Sequence, residues 1–369
     1  MSQDPRLTAL AATLPSMVPF VGPEEQERNA GKPFRARLGA NESVFGPSPK
    51  AIAAMQAEAA QTWKYGDPTS FDLRNAIADL QGVGPENIMV GEGIDTLLGV
   101  LVRLFVAQGD AVVTSDGAYP TFNYHVAGFG GILHKVPYTG DFEDPARLIA
   151  KAKETSAKLV YIANPDNPMG TVHTPEAIEK MVTEVPDGCL MVLDEAYADF
   201  LDEAQIPRIR AENAKVIRFR TFSKAHGLAG ARVGYALGSA EIINAFNKVR
   251  NHFGMARISQ AGALAAVQDR AWLAHVKSEV AAARDRIAKI AAENGLEVVP
   301  SATNFVAVDC GGDGVFARKV LQALVARGVF VRMPFVAPQD RCIRVSCGRP
   351  EDLDVLAEVL PMALAEARA

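Results

Sequence analysis

Arg218-Phe219-Arg220-Thr221-Phe222-Ser223-Lys224-Ala225-His226-Gly227-Leu228-Ala229-Gly230-Ala231-Arg232-Val233-Gly234-Tyr235 is the stretch around which the chain is organised. A largely apolar run, residues 215–219, enters a turn of small hydroxyl residues, Thr221 and Ser223, and a single lysine follows. Three glycines punctuate the way back into a second short run, residues 233–237. Two hydroxyls beside a lysine, with an arginine eight residues on, are the parts needed to hold a phosphate next to an amine. A bare Ser-Lys would read as a surface lysine before a glycine-rich loop. The residues around this one are too specific for that.

The stretch resembles the Schiff-base segment of fold-type I aminotransferases, and within them the histidinol-phosphate aminotransferase branch, whose usual form is close to RTFSKAFGLAGLRxGY. His226 stands where an aromatic is usual and Ala231 where leucine is usual. Neither change removes a reacting group. The resemblance implies that Lys224 forms the Schiff base and that the cofactor is pyridoxal 5'-phosphate. A lysine that forms such a bond must sit close to a phosphate-anchored aldehyde.

Composition agrees with an enzyme-sized chain. Its 369 residues are 49% hydrophobic, enough to bury a large core in more than one domain. The net charge of −5, with no basic run, argues against nucleic acid or an anionic membrane as main partner. Cys189, Cys310, Cys342 and Cys347 lack ligand-like spacing and read as reduced thiols of a cytoplasmic protein. Neither a signal pattern nor a long uncharged apolar run is present, and no metal is expected.

The remaining motifs follow in chain order. Residues 1–36 are proline-rich and suit an arm. Asn41-Glu42-Ser43-Val44-Phe45-Gly46-Pro47-Ser48-Pro49 resembles the family's NENPxGPSP, and residues 49–61 read as a helix capped by Ser48. Tyr65-Gly66-Asp67-Pro68 matches a turn whose tyrosine, in the family, crosses a dimer interface to the partner's cofactor phosphate; that role passes to Tyr65. Gly91-Glu92-Gly93-Ile94-Asp95-Thr96 leads from a strand into a helix expected over 97–106, a phosphate-binding arrangement of free N–H groups and helix dipole. It matches the family's GxGSDE, so Gly93, Ile94 and Asp95 are assigned to the phosphate. Tyr119, in Ala118-Tyr119-Pro120, stands where the family stacks an aromatic on the pyridine ring.

Asn164-Pro165-Asp166-Asn167-Pro168-Met169-Gly170 resembles NPNNPTG, which makes Asn167 a donor to the cofactor's phenolate oxygen. Leu190-Met191-Val192-Leu193-Asp194-Glu195-Ala196-Tyr197 is an apolar strand ending in acid, and a carboxylate there needs a partner. The resemblance supplies one, the pyridinium nitrogen for Asp194, and gives Tyr197 the phenolate oxygen. Thr221, Ser223 and Arg232 fall to the phosphate. Arg344, in Cys342-Ile343-Arg344-Val345-Ser346, matches the arginine that takes a substrate carboxylate. Arg332 matches a second arginine that contacts a side-chain phosphate, and Phe20 stands where the family's arm often carries a substrate-contacting tyrosine.

Alternation of strand, loop and helix predicts an α/β fold with a mostly parallel sheet between helices. The resemblance makes this the large domain of a fold-type I enzyme, with a smaller α+β domain beside it. The expected division is an arm over 1–44, a large cofactor-binding domain over 45–250, and a linking helix with the small domain over 251–369. The implied activity moves an amino group between an amino acid or histidinol phosphate and 2-oxoglutarate, as in histidine biosynthesis, by a cytoplasmic homodimer. An aromatic or general amino-acid aminotransferase stays open, because Phe20 and Gly254 stand where polar side chains are usual. So does a relative of threonine-phosphate decarboxylase. A nicotinamide dehydrogenase would need glycine at position 96, where this chain has Thr96, and would not explain Lys224. A non-catalytic dimeric binding module would not need every reacting group.

Overall fold

The computed structural model describes residues 6–16 and 21–369, so Phe20 lies outside the described residues. At its centre is a seven-stranded sheet in the order Ile88–Gly91, Gly234–Leu237, Val216–Thr221, Leu190–Asp194, Leu159–Ala163, Ala111–Ser115, Ile132–Val136. Gly234–Leu237 runs antiparallel to both its neighbours, and every other adjacent pair is parallel. The mostly parallel sheet expected from the alternation is therefore present. Leu159–Ala163 and Leu190–Asp194 are buried along their whole length, which is why they read as unbroken apolar runs.

Helices cover both faces. On one, Leu97, Leu98 and Leu101 of Gly93–Phe105 and Phe122 of Thr121–Gly128 pack with Tyr161 and Phe219. On the other, Leu148 and Ile149 of Pro145–Thr155 and Ile178 and Met181 of Pro175–Glu184 pack with Val160, Ile162, Met191 and Leu193. Odd and even strand positions divide between the two cores, as the two-residue pleat requires. Ser48 caps helix Pro49–Ala59 by accepting from Lys50 N at 3.1 Å. Helix Gly93–Phe105 begins earlier than its apolar run suggests. Gly93, at φ +84°, turns the chain out of the strand at once, so Gly93, Ile94 and Asp95 form the first turn with its unsatisfied N–H groups.

A second core is built from the C-terminal part. Cys342–Ser346, Phe305–Asp309 and Glu297–Val298 form a three-stranded antiparallel sheet. Val276, Val280 and Ile287 of Arg270–Glu293, Val320 and Leu324 of Gly314–Ala326, and Leu356 and Leu360 of Pro350–Arg368 belong to its core. From the N-terminal segment, Ala36–Arg37 pairs in parallel with Val329–Phe330. Two Ala-rich helices, Arg257–Gln268 and Arg270–Glu293, are separated at Asp269. Ala263 and Val267 of the first pack with Ala51, Leu73 and Ile77 beside the large sheet, whereas the second serves the C-terminal core. The break is where the chain passes from one core to the other. Among the described residues no helix is long and apolar enough to cross a membrane.

Candidate active site

A cavity of about 390 Å³ opens where the parallel strands end, and the loops leaving those ends line it. Lys224 follows Val216–Thr221 in a turn closed by Ser223 N to Thr221 Oγ1 at 3.0 Å and by Leu228 N to Phe222 O at 2.9 Å. Gly227 stands at φ +67°, where a Cβ would come within 2.4 Å of Gly46 O, so this turn accepts only glycine. Lys224 Nζ donates to Asn41 O at 3.1 Å. Burial, and next the positive charge of Arg344, bring its amine down to about 8, against the pull of Glu42 and Asp95.

Asp194 ends its strand with one oxygen accepting from Tyr161 Oη at 2.6 Å and the other from Ala196 N at 2.9 Å. Neither donor is a cation, and burial pushes the carboxyl up to about 6. Asn167 Oδ1 accepts from Arg344 Nη1, which fixes the amide so that Nδ2 faces Tyr197 Oη at 3.4 Å. Burial raises the Tyr197 phenol to about 12, opposed first by the nearby Arg344 charge. Tyr119 is half-buried on the cavity wall, its hydroxyl 3.4 Å from Asp95 Oδ1.

The opposite end is a cradle of donors. Arg232, at φ +53°, donates from Nη1 to Ser223 Oγ at 3.3 Å and to Ala229 O at 3.1 Å. A Cβ on Gly93 would stand 2.4 Å from Arg232 Nη2, so the guanidinium lies against the first helical turn because position 93 is glycine. The Thr221 hydroxyl is tied inside the turn, donating to Val233 O at 3.3 Å while it accepts from Ser223 N. Thr221 therefore shapes the cradle through Ser223.

Two arginines face the cavity from the C-terminal part. Arg344 N donates to Arg332 O at 2.6 Å and Arg332 N to Arg344 O at 3.3 Å, which sets the residues side by side. The Arg344 Nε is buried without a partner, and no carboxylate pairs with this guanidinium among the described residues. Burial lowers its pKa. Arg332 Nη2 donates to Val21 O at 2.9 Å, tying it to the N-terminal segment.

The structure thus brings together Ile94, Asp95, Tyr119, Asn167, Asp194, Tyr197, Thr221, Ser223, Lys224, Arg232, Arg332 and Arg344 on one cavity, with Gly93 against Arg232. Tyr65 stands apart. It is 79% exposed, packs against Phe253 with ring centroids 4.9 Å apart, and is not on the cavity wall of its own chain. Other contributors escaped the sequence reading. Tyr161 looked like one more apolar position of its strand, and only the fold shows its hydroxyl meeting Asp194. Glu195, beside Asp194, binds both Arg218 (2.8 and 3.0 Å) and Arg220 (2.9 Å) in a buried cluster. Asp199 extends it, 3.7 Å from Arg220 Nη1 and 3.6 Å from His226 Nε2. Alternating arginines in the Arg218-Phe219-Arg220 strand were the available signal.

Residues 36–360 match the model of a family described as aminotransferase class I and II. Among curated relatives, histidinol-phosphate aminotransferase of Moorella thermoacetica is 33% identical over 365 residues, covering 98% of this chain and 94% of that one. The enzyme of the same name from an Anaeromyxobacter species is 37% identical over 324 residues, 87% and 88% of the two chains. Among solved structures, histidinol-phosphate aminotransferase of Sinorhizobium meliloti in complex with pyridoxal 5'-phosphate superposes with a TM-score of 0.95, is 49% identical, and covers 99% of each chain.

Proposed function

We propose, from the premise that this chain belongs to the class I and II aminotransferase family, that it moves an amino group from histidinol phosphate to 2-oxoglutarate. The residues present suit pyridoxal 5'-phosphate. A buried carboxylate with no cationic partner among the described residues, Asp194, suits a pyridinium N–H. The Gly93 turn packed on Arg232, with Ser223 beside it, suits a phosphate. A half-buried lysine whose amine is brought down to about 8 suits carbonyl chemistry. Bound pyridoxal phosphate supplies a ring that accepts the electron pair left when the donor's Cα–H bond breaks.

The chain's own groups do the rest. The Asp194 carboxylate keeps a proton on the ring nitrogen. Asn167 Nδ2 and the Tyr197 hydroxyl bind the phenolate oxygen, and Tyr119 packs on the ring face. The N–H groups of Gly93, Ile94 and Asp95, with Ser223 and Arg232, hold the phosphate, and Thr221 supports them by fixing the Ser223 turn. Lys224, neutral above about pH 8, takes the donor's Cα proton and delivers it again within the site. Tyr65, exposed in one chain, reaches the phosphate of a second copy, which makes the working unit a homodimer with two-fold symmetry. The division into an arm (1–44), a large domain (45–250) and a linking helix with a small domain (251–369) is part of this reading, as is a cytoplasmic location.

The observation that carries the substrate is the pair Arg332 and Arg344. A half-buried guanidinium whose buried Nε has no partner, and which no carboxylate pairs among the described residues, calls for an anion from outside the chain. Both substrates bring one close to the reacting carbon, the phosphate ester of histidinol phosphate and the α-carboxylate of 2-oxoglutarate. A second reading, an aromatic amino acid as donor, is favoured by Phe335, 68% exposed on the cavity lining beside Met333 and Pro334. Absorbance of the loaded enzyme, followed while single donors are added and then 2-oxoglutarate, tests both. The expected result is that histidinol phosphate converts the cofactor far better than phenylalanine, and that 2-oxoglutarate restores it. The reverse preference overturns the assignment of substrate, and no conversion by any donor overturns transamination.

A further inference from the structure

Lys224 Nζ and Tyr197 Oη, two groups on which the proposed reaction turns, converge on a residue that this reading leaves without a role. Asn41 is 2% exposed and stands in the left-handed backbone region at φ +53°. Asparagine is among the few residues with a Cβ that visit this region readily, because its short amide can bond locally. In this conformation main chain and side chain serve different partners. The carbonyl accepts from Lys224 Nζ and from Asn304 Nδ2, each at 3.1 Å. The amide Nδ2 donates to Tyr197 Oη at 3.1 Å. Asn41 Oδ1 accepts from Ser346 Oγ at 3.0 Å, and Asn41 N donates to the same Oγ at 2.9 Å.

Those contacts have two consequences. Tyr197 Oη accepts from Asn41 at 3.1 Å and from Asn167 at 3.4 Å, which occupies both lone pairs of the hydroxyl. Its own proton can then only be donated outward, into the cavity. The second consequence is mechanical. Ser346 ends the strand that carries Arg344, and Asn304 immediately precedes its antiparallel neighbour Phe305–Asp309. Asn41 is thus the common point of the lysine turn, the tyrosine and the substrate-arginine strand.

We infer that Asn41 is a positioning residue, holding the Lys224 amine by its carbonyl and orienting the Tyr197 hydroxyl by its amide, both in register with the Arg344 strand. The inference rests on the proposed transamination. Around Lys224 the charged groups are Arg344 and Arg232, which oppose its protonation, and Glu42 and Asp95, which favour it. Asn41 contributes no charge to this balance, so a charge introduced there is readable at the amine.

Two full-length variants separate the functions of the residue. Asn41→Gly keeps the left-handed backbone and the carbonyl but removes the amide. Asn41→Asp keeps the shape, removes the donor to Tyr197 and adds an anion beside Lys224. Two readouts are taken alongside thermal melting: kcat and KM of transamination against pH, and the pH midpoint of Lys224 modification by trinitrobenzenesulfonate in the cofactor-free chain, located by peptide mapping. Asn41→Asp is expected to raise that midpoint by about one unit, while Asn41→Gly moves it by no more than about 0.3. Loss of one buried hydrogen bond to Tyr197 lowers kcat by roughly 10- to 100-fold in both, with KM for 2-oxoglutarate within about 3-fold.

A full kcat in Asn41→Gly, or an unmoved midpoint in a folded Asn41→Asp, overturns the inference. If Asn41→Asp does not fold, the kcat of Asn41→Gly decides alone. A wild-type chain that transaminates no donor, yet shows the shifted midpoint in Asn41→Asp, overturns the proposed function and leaves the positioning of the lysine standing.

Discussion

Replacing Glu195 by glutamine tests whether the cluster behind the site is held by charge. Glu195 is 2% exposed and is bonded by Arg218 and Arg220, themselves 7% and 5% exposed. The substitution is nearly isosteric, so packing changes little and the charge is what goes. At an effective dielectric of about 20, a unit pair near 4 Å is worth about 4 kcal/mol. Two such pairs are lost together, while a glutamine oxygen at the Oε2 position still accepts two of the three hydrogen bonds and the amide nitrogen faces Arg218 Nη2. Breaking a buried pair by neutralising one side costs about 3–5 kcal/mol. With two guanidinium groups left unneutralised, Glu195→Gln belongs at the upper end, near 5 kcal/mol, against a total stability on the order of 5–15 kcal/mol. Urea unfolding followed by far-ultraviolet circular dichroism reads this as a large drop in midpoint at unchanged slope.

The pH dependence supplies an internal control. Burial raises the Glu195 carboxyl, but Arg218 and Arg220 outweigh it and hold the group below the ordinary carboxylate range. A depressed acid contributes stability that is present above its unfolded pKa and is lost as pH falls through its folded one. The gap between wild type and Glu195→Gln must therefore be full at neutral pH and close in acid, below about pH 4. A loss under about 1 kcal/mol at pH 7, or a gap that does not close, would refute the charge argument and leave the cluster as ordinary packing.

Three further outcomes follow from the site. Gly93→Ala puts a methyl 2.4 Å from Arg232 Nη2 at a φ of +84°, so affinity for pyridoxal phosphate falls by roughly 10- to 100-fold, read by dialysis and cofactor fluorescence; unchanged affinity would remove Gly93 from the phosphate cradle. Arg344→Gln removes the charged donor assigned to the substrate carboxylate and lowers kcat/KM for 2-oxoglutarate by roughly 10- to 150-fold, and because Arg344 opposes protonation of Lys224, it also moves the amine's titration to higher pH. In the wild-type chain without cofactor, Lys224 is protonated and unreactive well below pH 8 and becomes nucleophilic as pH rises through about 8. A midpoint near the ordinary lysine value of about 10.4 would show that the amine is solvated.

Most of the site was legible because its motifs are local. The turn Phe222-Ser223-Lys224 with Gly227, the loop around Asn167 and the strand-end Asp194 each shape their backbone through hydrogen bonds within a few residues, so the residues quoted carry much of the local geometry. The apolar run of 190–194 likewise announced a buried strand, since a strand covered on both faces has no reason to alternate. The start of helix Gly93–Phe105 was less legible, because a glycine-led first turn carries no apolar signal.

What the sequence by itself determined is the chemistry: one lysine between small hydroxyls and glycines, an acid at the end of a buried strand, an amide in a proline-clamped loop, and two arginines near the C-terminus. Tertiary structure alone decided how these groups are tuned and joined. Asn41 lies 183 positions from Lys224, 156 from Tyr197 and 305 from Ser346, yet bonds all three. Tyr161 meets Asp194 across two neighbouring strands, and Arg344 reaches Asn167 across 177 positions. Such contacts depend on where separate elements come to rest once two cores have packed. Burial, which brings the lysine down to about 8 and Asp194 up to about 6, exists only after that packing is complete.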